Sequence, residues 1–322
     1  MSPPVVAFFN VKGGVGRSTL TFHLAWMLAD LGFRTLAADL DPQCALTGLF
    51  LGTDEAADIS ARGETLQQGF RASSFAEAPT RLIDENLVLL PGDMGLLHLE
   101  PFLWDAWEDS AQGDAQAMAG LTRIHYILQV AARKHSCDII LMDLSPSMGA
   151  INNAAFVAAT HLVIPVVPDA LAVSGLRMAG QALARWTRDW GERRVHCPPM
   201  PSGPLSGPQP LGYVLLKVRT FQGLPIRSVR HWMDEIPLSF HQYVMEGHGE
   251  IPRSLSEDPY CLAVLRESHL LSMAAESRKP SFHLSPADGA LGVYMSAVQR
   301  ERQEYKKLAS AIADRIGLPP HS

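Results

Sequence analysis

The sequence contains little cysteine, no long apolar run and no leader-like start. Its four cysteines lie far apart and form no CxxC or CxxH pair, which argues against a zinc ribbon or a dithiol redox motif, so free thiols are expected. No stretch reaches the roughly 18 uninterrupted apolar residues of a membrane-spanning helix, because even residues 154–167 contain Thr160, His161 and Pro165. No basic segment precedes an apolar one at the start, so no signal peptide is predicted and a cytoplasmic location is expected.

Positive charge is scarce in the first half of the chain. Residues 1–160 carry 9 Lys and Arg against 18 Asp and Glu, whereas residues 161–322 carry 18 against 15, within a total net charge of −6. An acidic total is not typical of a nucleic-acid-binding protein, but the C-terminal half can still carry a basic face. The hydrophobic content of 47% excludes a globally disordered chain.

Short apolar runs alternate with segments of helical periodicity, which is typical of a parallel sheet covered by helices on both faces. After the first run, Leu20, Leu24 and Leu31 mark one helix face, and Gly32 ends that helix. We therefore expect an α/β fold with a doubly wound, mostly parallel sheet, as one domain over residues 1–322 with a Pro/Gly-rich inserted loop at about residues 198–210. The predicted strands are 5–9, 35–38, 87–90, 139–142, 162–167 and 213–216, and further helices are predicted at 152–159, 173–190 and 291–316.

A glycine-rich segment, KGGVGRST at residues 12–19, connects the first predicted strand to the first predicted helix. Glycines let the backbone close around a phosphate, whose charge the inward N–H groups and the helix N-terminus stabilise. The hydroxyl of Ser18 is then placed to bind Mg²⁺. Two other interpretations stay open here. One is a dinucleotide fingerprint, in which Gly14 and Gly16 precede Asp39 but Thr19 replaces the third glycine. The other is a purely structural turn.

Three motifs follow one another in a recognisable order. The loop at residues 12–19, DLDPQ at 39–43 and CDIILMDLSPSMG at 137–149 resemble the signatures of the ParA/MinD-type deviant Walker-A ATPases, and the chain looks closest to ParA/Soj-like partition proteins. Weaker similarity follows at residues 86–92, 162–169 and 275–280, so the resemblance covers nearly the whole chain, apart from residues 198–210 and 220–262. It implies a P-loop NTPase fold, ATP and Mg²⁺ as cofactors, and a homodimer that encloses the nucleotides.

The resemblance also assigns roles to single residues. Lys12 is similar to a catalytic lysine that reaches the partner subunit's phosphates and neutralises charge during phosphoryl transfer. Asp41 resembles the carboxylate that positions the attacking water, and Ser18, Asp39 and Asp143 resemble the groups around Mg²⁺. The nucleotide-binding residues that it implies are Gly13, Gly14, Val15, Gly16, Arg17, Ser18, Thr19, Pro168 and Asp169. From the residues alone, Lys12 could instead be a solvated surface lysine, and the acids Asp39 and Asp41 ordinary caps or turn residues.

Arg17 departs from the family pattern, which places a lysine at this position. Arginine keeps the positive charge but is longer, planar and bidentate, so we expect nucleotide binding to survive the change. The geometry at the γ-phosphate is more sensitive, because a displacement of about 1 Å can lower a rate by about 100-fold. Arg17 is therefore predicted to be a catalytic residue that supports only slow ATP hydrolysis.

The resemblance implies partners as well. ParA-like proteins bind nucleoid DNA non-specifically and work with a ParB-like or other small adaptor, so a nucleoid-associated location is expected. Membrane binding is not favoured, because the polar side of the last helix mixes both charge signs and the helix resembles one packed on its own domain. The alternatives are a nucleotide-gated scaffold without useful turnover, and a MinD-like or flagellar-number regulator that recruits a partner to a membrane or pole. The residues considered for DNA contact are Arg227, Arg230, Arg253, Arg266, Arg278 and Lys279.

Overall fold

The structure, a computed structural model, describes residues 2–71, 77–195, 207–248, 251–252 and 254–319 and contains an eight-stranded sheet. A separate antiparallel hairpin consists of β8 (Thr220–Phe221) and β9 (Leu224–Pro225). The strands of the main sheet are β1 (Val5–Phe8), β2 (Thr35–Asp39), β3 (Arg81–Asp84), β4 (Leu87–Leu90), β5 (Ile139–Asp143), β6 (His161–Val166), β7 (Gln209–Val218) and β10 (Cys261–Arg266).

The main sheet is mostly parallel, as the sequence predicts. Its strand order is β10-β7-β6-β1-β5-β2-β4-β3, and only the edge strand β3 runs antiparallel to its neighbour. The chain moves outward from β1 in both directions, which confirms the doubly wound α/β fold. In such a sheet, ligands bind outside the carboxyl ends of the strands where the order reverses, and here that point lies at β1.

Helices cover both faces of the sheet. Val5 and Ala7 of β1 face one hydrophobic core, whereas Val6 and Phe8 face the other, because successive side chains of a strand point to opposite sides. The helices are α1 (Arg17–Asp30), α2 (Ala45–Leu51), α3 (Thr53–Ala61), α4 (Gln68–Arg71), α5 (Glu100–Ser110), α6 (Ala115–Leu121), α7 (Arg123–Lys134), α8 (Ala150–Ala158), α9 (Ala172–Val195), α10 (Arg227–Tyr243), α11 (Leu271–Ser277) and α12 (Val293–Arg315).

The last helix, α12, is packed on its own domain, as predicted from its pattern. Tyr305, Leu308 and Ile312 are buried in the core that α1 also lines. Tyr305 stacks on His23 of α1 at 4.8 Å between ring centroids, with 17° between the ring planes. No helix within the described ranges is long and apolar enough to cross a membrane.

The predicted Pro/Gly-rich loop is only partly described. Residues 198–206 lie outside the described residues, whereas Gln209 and Pro210 form the first two residues of β7 and pair with β6. The end of the predicted loop is therefore wrong by these two residues. Proline is compatible with this position because it opens the strand.

Candidate functional site

The candidate site lies where three neighbouring strands end. Asp39 ends β2, Asp143 ends β5, and the two residues are register partners; Phe8 at the end of β1 also pairs with Asp143. The glycine-rich loop follows β1 directly and leads into α1. Gly14 has φ 71° and Gly16 has φ 100°, a left-handed backbone that favours glycine. The loop, both acids and the N-terminus of α1 thus meet at one edge of the sheet.

Arg17, the first residue of α1, turns its side chain into the site rather than into solvent. Its Nη1 donates to the backbone oxygen of Asn10 at 2.9 Å, and its Nη2 lies 3.4 Å from Oδ2 of Asp41. The side chain is only 7% exposed. Burial lowers the pKa of Arg17, while the charges of Asp143 and Asp41 oppose that shift. The guanidinium therefore supplies a buried positive charge between the loop and the acids.

Asp39 and Asp143 are neighbours in the sheet but differ in their hydrogen-bond partners. Asp39 accepts hydrogen bonds from the backbone N–H and hydroxyl of Thr47, at 2.8 and 2.7 Å, and from the backbone N–H of Asp41. Neither oxygen of Asp143 has a hydrogen-bond partner among the described residues, although the group is fully buried. Burial and the charge of Asp39 raise the pKa of Asp143, and the positive charge of Arg17 opposes that rise. Burial also raises the pKa of Asp39.

This pair of acids fits a divalent cation. A buried carboxylate without partners is costly, and a hard cation such as Mg²⁺ takes oxygen ligands from carboxylates and hydroxyls. Asp143 offers two carboxylate oxygens without a hydrogen-bond partner among the described residues, and the hydroxyl of Ser18 adds a third oxygen ligand. The residues present therefore fit the Mg²⁺ set that the sequence predicts, Ser18, Asp39 and Asp143.

Asp41 lies on the loop after β2 and is buried. Its Oδ1 accepts from the backbone N–H of Gln43 at 2.9 Å, and its Oδ2 faces Arg17. The carboxylate of Asp41 is therefore held in one orientation.

Lys12 forms an ion pair with Asp169, which follows β6. The loop is fixed at its start by Asn10, whose Oδ1 accepts from the backbone N–H of Lys12 and whose Nδ2 donates to the backbone oxygen of Pro165. Pro168 is buried beside this contact. Lys12 is thus held within its own chain and is not a solvated surface lysine.

A cleft of about 140 Å³ opens on another side of the loop. Its walls are mainly aliphatic, with polar groups at the rim. The lining residues are Val15, Gly16, Thr19, Leu20, Leu216, Lys217, Leu265, Arg266, Ser268, Leu271 and Tyr305.

Sequence reasoning missed three residues that position the site: Asn10, Thr47 and Lys217. The position of Asn10 between β1 and the loop could have indicated its role. For Thr47, the available signal was its place in the first turn of α2, eight residues after Asp39. Lys217 Nζ donates to the backbone oxygen of Gly14 at 2.7 Å. No local pattern links Lys217 to the loop, because more than 200 residues separate them.

The residues considered for DNA contact differ in what they touch. Arg266 lies 3.8 Å from Glu304, Arg278 donates to the backbone oxygen of Leu51 at 3.0 Å, and Lys279 pairs with Asp288 at 2.8 Å. Arg227 and Arg230 are exposed on α10 and have no ion pair within the described part of the chain. Arg253 lies outside the described residues.

Several known proteins are similar to this chain in sequence. A family model described as an AAA domain matches residues 4–188, more than half of the chain. The putative replication protein A of Rhizobium rhizogenes is 32% identical over 176 residues, covering 53% of this chain and 42% of that protein. The chromosome-partitioning ATPase Soj of Thermus thermophilus is 31% identical over 172 residues, covering 53% and 57%. The chain belongs to this AAA domain family and is similar in sequence to ParA-like proteins.

A solved structure shows the same fold over a longer range. The structure of pNOB8 ParA bound to nonspecific DNA covers 98% of this chain and 99% of that chain, with a TM-score of 0.62 at 18% identity. The two curated relatives are matched over only about half of their own lengths. Activity, ligands and partners are therefore argued from this chain's own site.

Proposed function

We propose that this chain binds Mg·ATP at the residue 12–19 loop, dimerises on the bound nucleotide and positions DNA or another cargo as a partition ATPase. One observation carries the proposal: the glycine-rich loop, the buried cation of Arg17 and the unpartnered carboxylate of Asp143 meet at the ends of β1, β2 and β5. Loop N–H groups and a helix N-terminus favour a phosphate, and the orphaned acid favours a cation beside it.

Each residue then has a chemical task. Ser18, Asp39 and Asp143 would hold Mg²⁺, which neutralises phosphate charge when bound. Gly13, Gly14, Val15 and Gly16 wrap the phosphates with backbone donors. Thr19 follows at the first turn of α1 and lines the cleft described above.

Three side chains serve hydrolysis in this proposal. Asp41 orients a water at the γ-phosphate, and Arg17 contacts the β- and γ-phosphates. Lys12 leaves Asp169 and reaches the phosphates bound by the partner subunit. Because Lys12 is already paired, dimerisation exchanges one carboxylate partner for a more highly charged phosphate.

The aliphatic cleft beside Gly16 and Thr19 is suited to the nucleoside. A base stacks on apolar walls, and polar rim groups fix its orientation. The assignment of Pro168 and Asp169 to the nucleotide-binding residues stays a prediction, and Asp169 is paired with Lys12.

Hydrolysis is slow in this proposal. Arg17 is bound to Asp41, the residue needed to align water, so the arginine has to separate from it before turnover. The same contact favours one second candidate, a nucleotide-gated scaffold whose ATP-bound dimer persists without useful hydrolysis.

The proposed partners are DNA and a ParB-like or other small adaptor protein. Binding to DNA would also associate the protein with the nucleoid. In its solved structure, pNOB8 ParA, which has a related fold, is bound to nonspecific DNA. Arg227 and Arg230 offer unpaired charge for phosphate contacts. The burial of the apolar side of α12 in its own core disfavours its use as a membrane anchor.

One experiment separates these functions. ATP turnover is measured with and without random duplex DNA, beside the molecular mass in solution. We expect a mass that doubles with Mg·ATP and a low turnover above background. A doubled mass with no turnover supports the scaffold, and unchanged mass without nucleotide binding contradicts the proposal.

A further inference from the structure

Strand β7 contains an irregularity next to the phosphate loop. Leu215 pairs with Val264 of β10, and Val218 pairs with Arg266, so β7 uses three residue steps where β10 uses two. The interval contains Lys217, whose φ of 54° lies in the left-handed region. A β-bulge of this kind re-aims a side chain, and a positive φ at a non-glycine residue is strained unless its surroundings hold it.

The side chain of Lys217 is aimed at the loop. Its Nζ donates to the backbone oxygen of Gly14 at 2.7 Å, and its Cε would lie 3.7 Å from a Cβ built on Gly16. The lysine is exposed, lines the nucleoside cleft and has no acidic partner within the described ranges. Its single strong contact is therefore with the loop that is proposed to bind phosphate.

The chain that follows Lys217 is purely basic. Residues 217–233 contain four Lys and Arg and no Asp or Glu, although the whole chain carries −6. We call residues 218–230 the basic hairpin segment. It contains the β8–β9 hairpin, whose Phe221 and Leu224 are 71% and 64% exposed, and the first turn of α10.

The basic hairpin segment begins at the residue that follows Lys217. Arg219 follows Lys217 after one residue, and its backbone oxygen accepts from the N–H of Ile226 at 3.1 Å, which closes the hairpin at the start of α10. Arg219, Arg227 and Arg230 are exposed and, within the described part of the chain, form no ion pair. Lys217 is therefore joined through a short stretch of backbone to three cations that form no ion pair among the described residues.

We propose that Lys217 is a positioning residue that couples the phosphate loop to the basic hairpin segment, so that nucleotide binding changes the affinity of this segment for nucleic-acid phosphates. The inference rests on the proposed function and specifies its regulation. When phosphates occupy the loop, the Gly14 peptide is reoriented or fixed, and the Lys217 contact carries that change to Arg219, Arg227 and Arg230. The free cations supply sequence-independent contacts to a duplex.

Hydrogen exchange tests the coupling without using DNA. Exchange is followed by mass spectrometry for the loop and for residues 218–226, with and without Mg·ATP, in the wild type and in Lys217→Met. We expect both segments of the wild type to respond to nucleotide, and only the loop to respond in Lys217→Met. A wild type in which the loop responds and residues 218–226 do not overturns the coupling while leaving the proposed function intact.

DNA titration adds a matched control, Arg219→Met, which removes one positive charge two residues after Lys217 and leaves the Lys217 contact with the loop in place. Coupling free energies of this type correspond to about 5- to 150-fold in affinity, and we expect the ratio of DNA affinities with and without ATP to fall towards one in Lys217→Met. Arg219→Met is expected to weaken DNA binding in both states while the response to ATP persists, and to lower the salt slope by about one for each Arg219 that contacts DNA. If Lys217→Met keeps the wild-type ratio, the coupling is wrong. A wild-type loop that does not respond to Mg·ATP contradicts the proposed function itself.

Discussion

The guanidinium of Arg17 lies 3.4 Å from the carboxylate of Asp41, and both side chains are buried. The arginine therefore contacts the residue proposed to align water, and its other nitrogen is bound to the backbone oxygen of Asn10. Breaking one partner from a buried ion pair is costly, so this arrangement stabilises the resting state of the site. We therefore predict slow turnover from this contact as well as from the replacement of lysine.

We expect dimerisation to depend on the surface at Gly13. A Cβ at Gly13 meets no atom within 4 Å, and Gly13 has no positive φ, so Gly13→Val is expected to fold and to bind nucleotide. In a dimer that brings two loops together, the added side chain blocks close approach. Light scattering should show a mass that no longer doubles with ATP. Gly191→Val, at an equally open position in α9, is the control that should still dimerise. An unchanged ATP dimer in Gly13→Val contradicts the enclosed-nucleotide model.

DNA binding should be independent of sequence and sensitive to salt. The ATP dimer doubles the number of basic contacts, and each phosphate contact steepens the salt dependence. A gel shift with random duplex is expected with ATP at low salt and should disappear at moderate salt. The double variant Arg227→Ala/Arg230→Ala should weaken the shift, whereas Arg278→Ala, already engaged with Leu51, should leave it largely unchanged. Absence of any shift at low salt with ATP supports the scaffold instead.

Asp143 should reduce the stability of the nucleotide-free protein. Its pKa is raised in the folded state, mainly by burial, so the folded protein holds a proton that the unfolded chain releases. The free energy of unfolding therefore falls as pH rises above the ordinary range of a carboxyl group. Asp143→Asn is expected to raise Tm at pH 8 and to remove the stabilisation by Mg·ATP.

Asp288 provides a control for that measurement, because its pKa is lowered whereas that of Asp143 is raised. Hydrogen bonds from Lys279 and Ser285 lower its pKa to about 2, so Asp288→Asn should not stabilise the protein at pH 8. The Asp288→Asn variant should also retain the stabilisation by Mg·ATP. A lower Tm for Asp143→Asn at pH 8 would falsify the assignment of Asp143 as a partnerless acid.

Two hydrogen bonds hold His23 of α1 in its neutral form. Its Nδ1 donates to the backbone oxygen of Thr19, and its Nε2 accepts from the N–H of Ser281 at 3.0 Å. Burial lowers its pKa to about 4. Because the unfolded histidine takes up its proton near pH 6.5, stability should fall between pH 6.5 and 4, by about 3 kcal/mol from this group.

Chemical denaturation across pH measures that slope. His23→Gln is expected to be less stable at pH 7 and to lose most of the slope between pH 6.5 and 4. His248→Gln, at an exposed histidine, should retain the wild-type curve. Equal slopes for wild type and His23→Gln contradict the neutral, doubly bonded histidine.

The sequence predicts the central strands well and the edges poorly. β1, β2, β4, β5 and β6 lie inside the sheet and are mainly apolar, so they form continuous apolar runs that are recognisable without structure. The edge strand β3 has the sequence RLID and alternates between partly buried and exposed positions, and it was not predicted. β10, at the other edge, pairs with β7 through register shifts and was also missed.

The candidate site, like the fold, could be predicted only in part from the sequence. Motif order was sufficient to bring the loop, Asp39 and Asp143 to one edge, because carboxyl ends of parallel strands meet there. The contacts of Arg17 with Asp41 and of Lys217 with Gly14 depend on side-chain rotamers and on a bulge, which no local pattern encodes. The roles of these residues in catalysis stay predictions.

Steady-state ATPase activity beside nucleotide titration tests the account most directly, for the wild type, Arg17→Lys and Asp41→Ala. Ground-state affinity depends mainly on loop N–H groups, Mg²⁺ and charge, whereas turnover depends on the freedom and alignment of Asp41. We predict slow hydrolysis in the wild type, a higher kcat with little change in nucleotide affinity for Arg17→Lys, and no turnover but a preserved ATP dimer for Asp41→Ala. An unchanged or lower kcat in Arg17→Lys would contradict the claim that the Arg17–Asp41 contact limits hydrolysis.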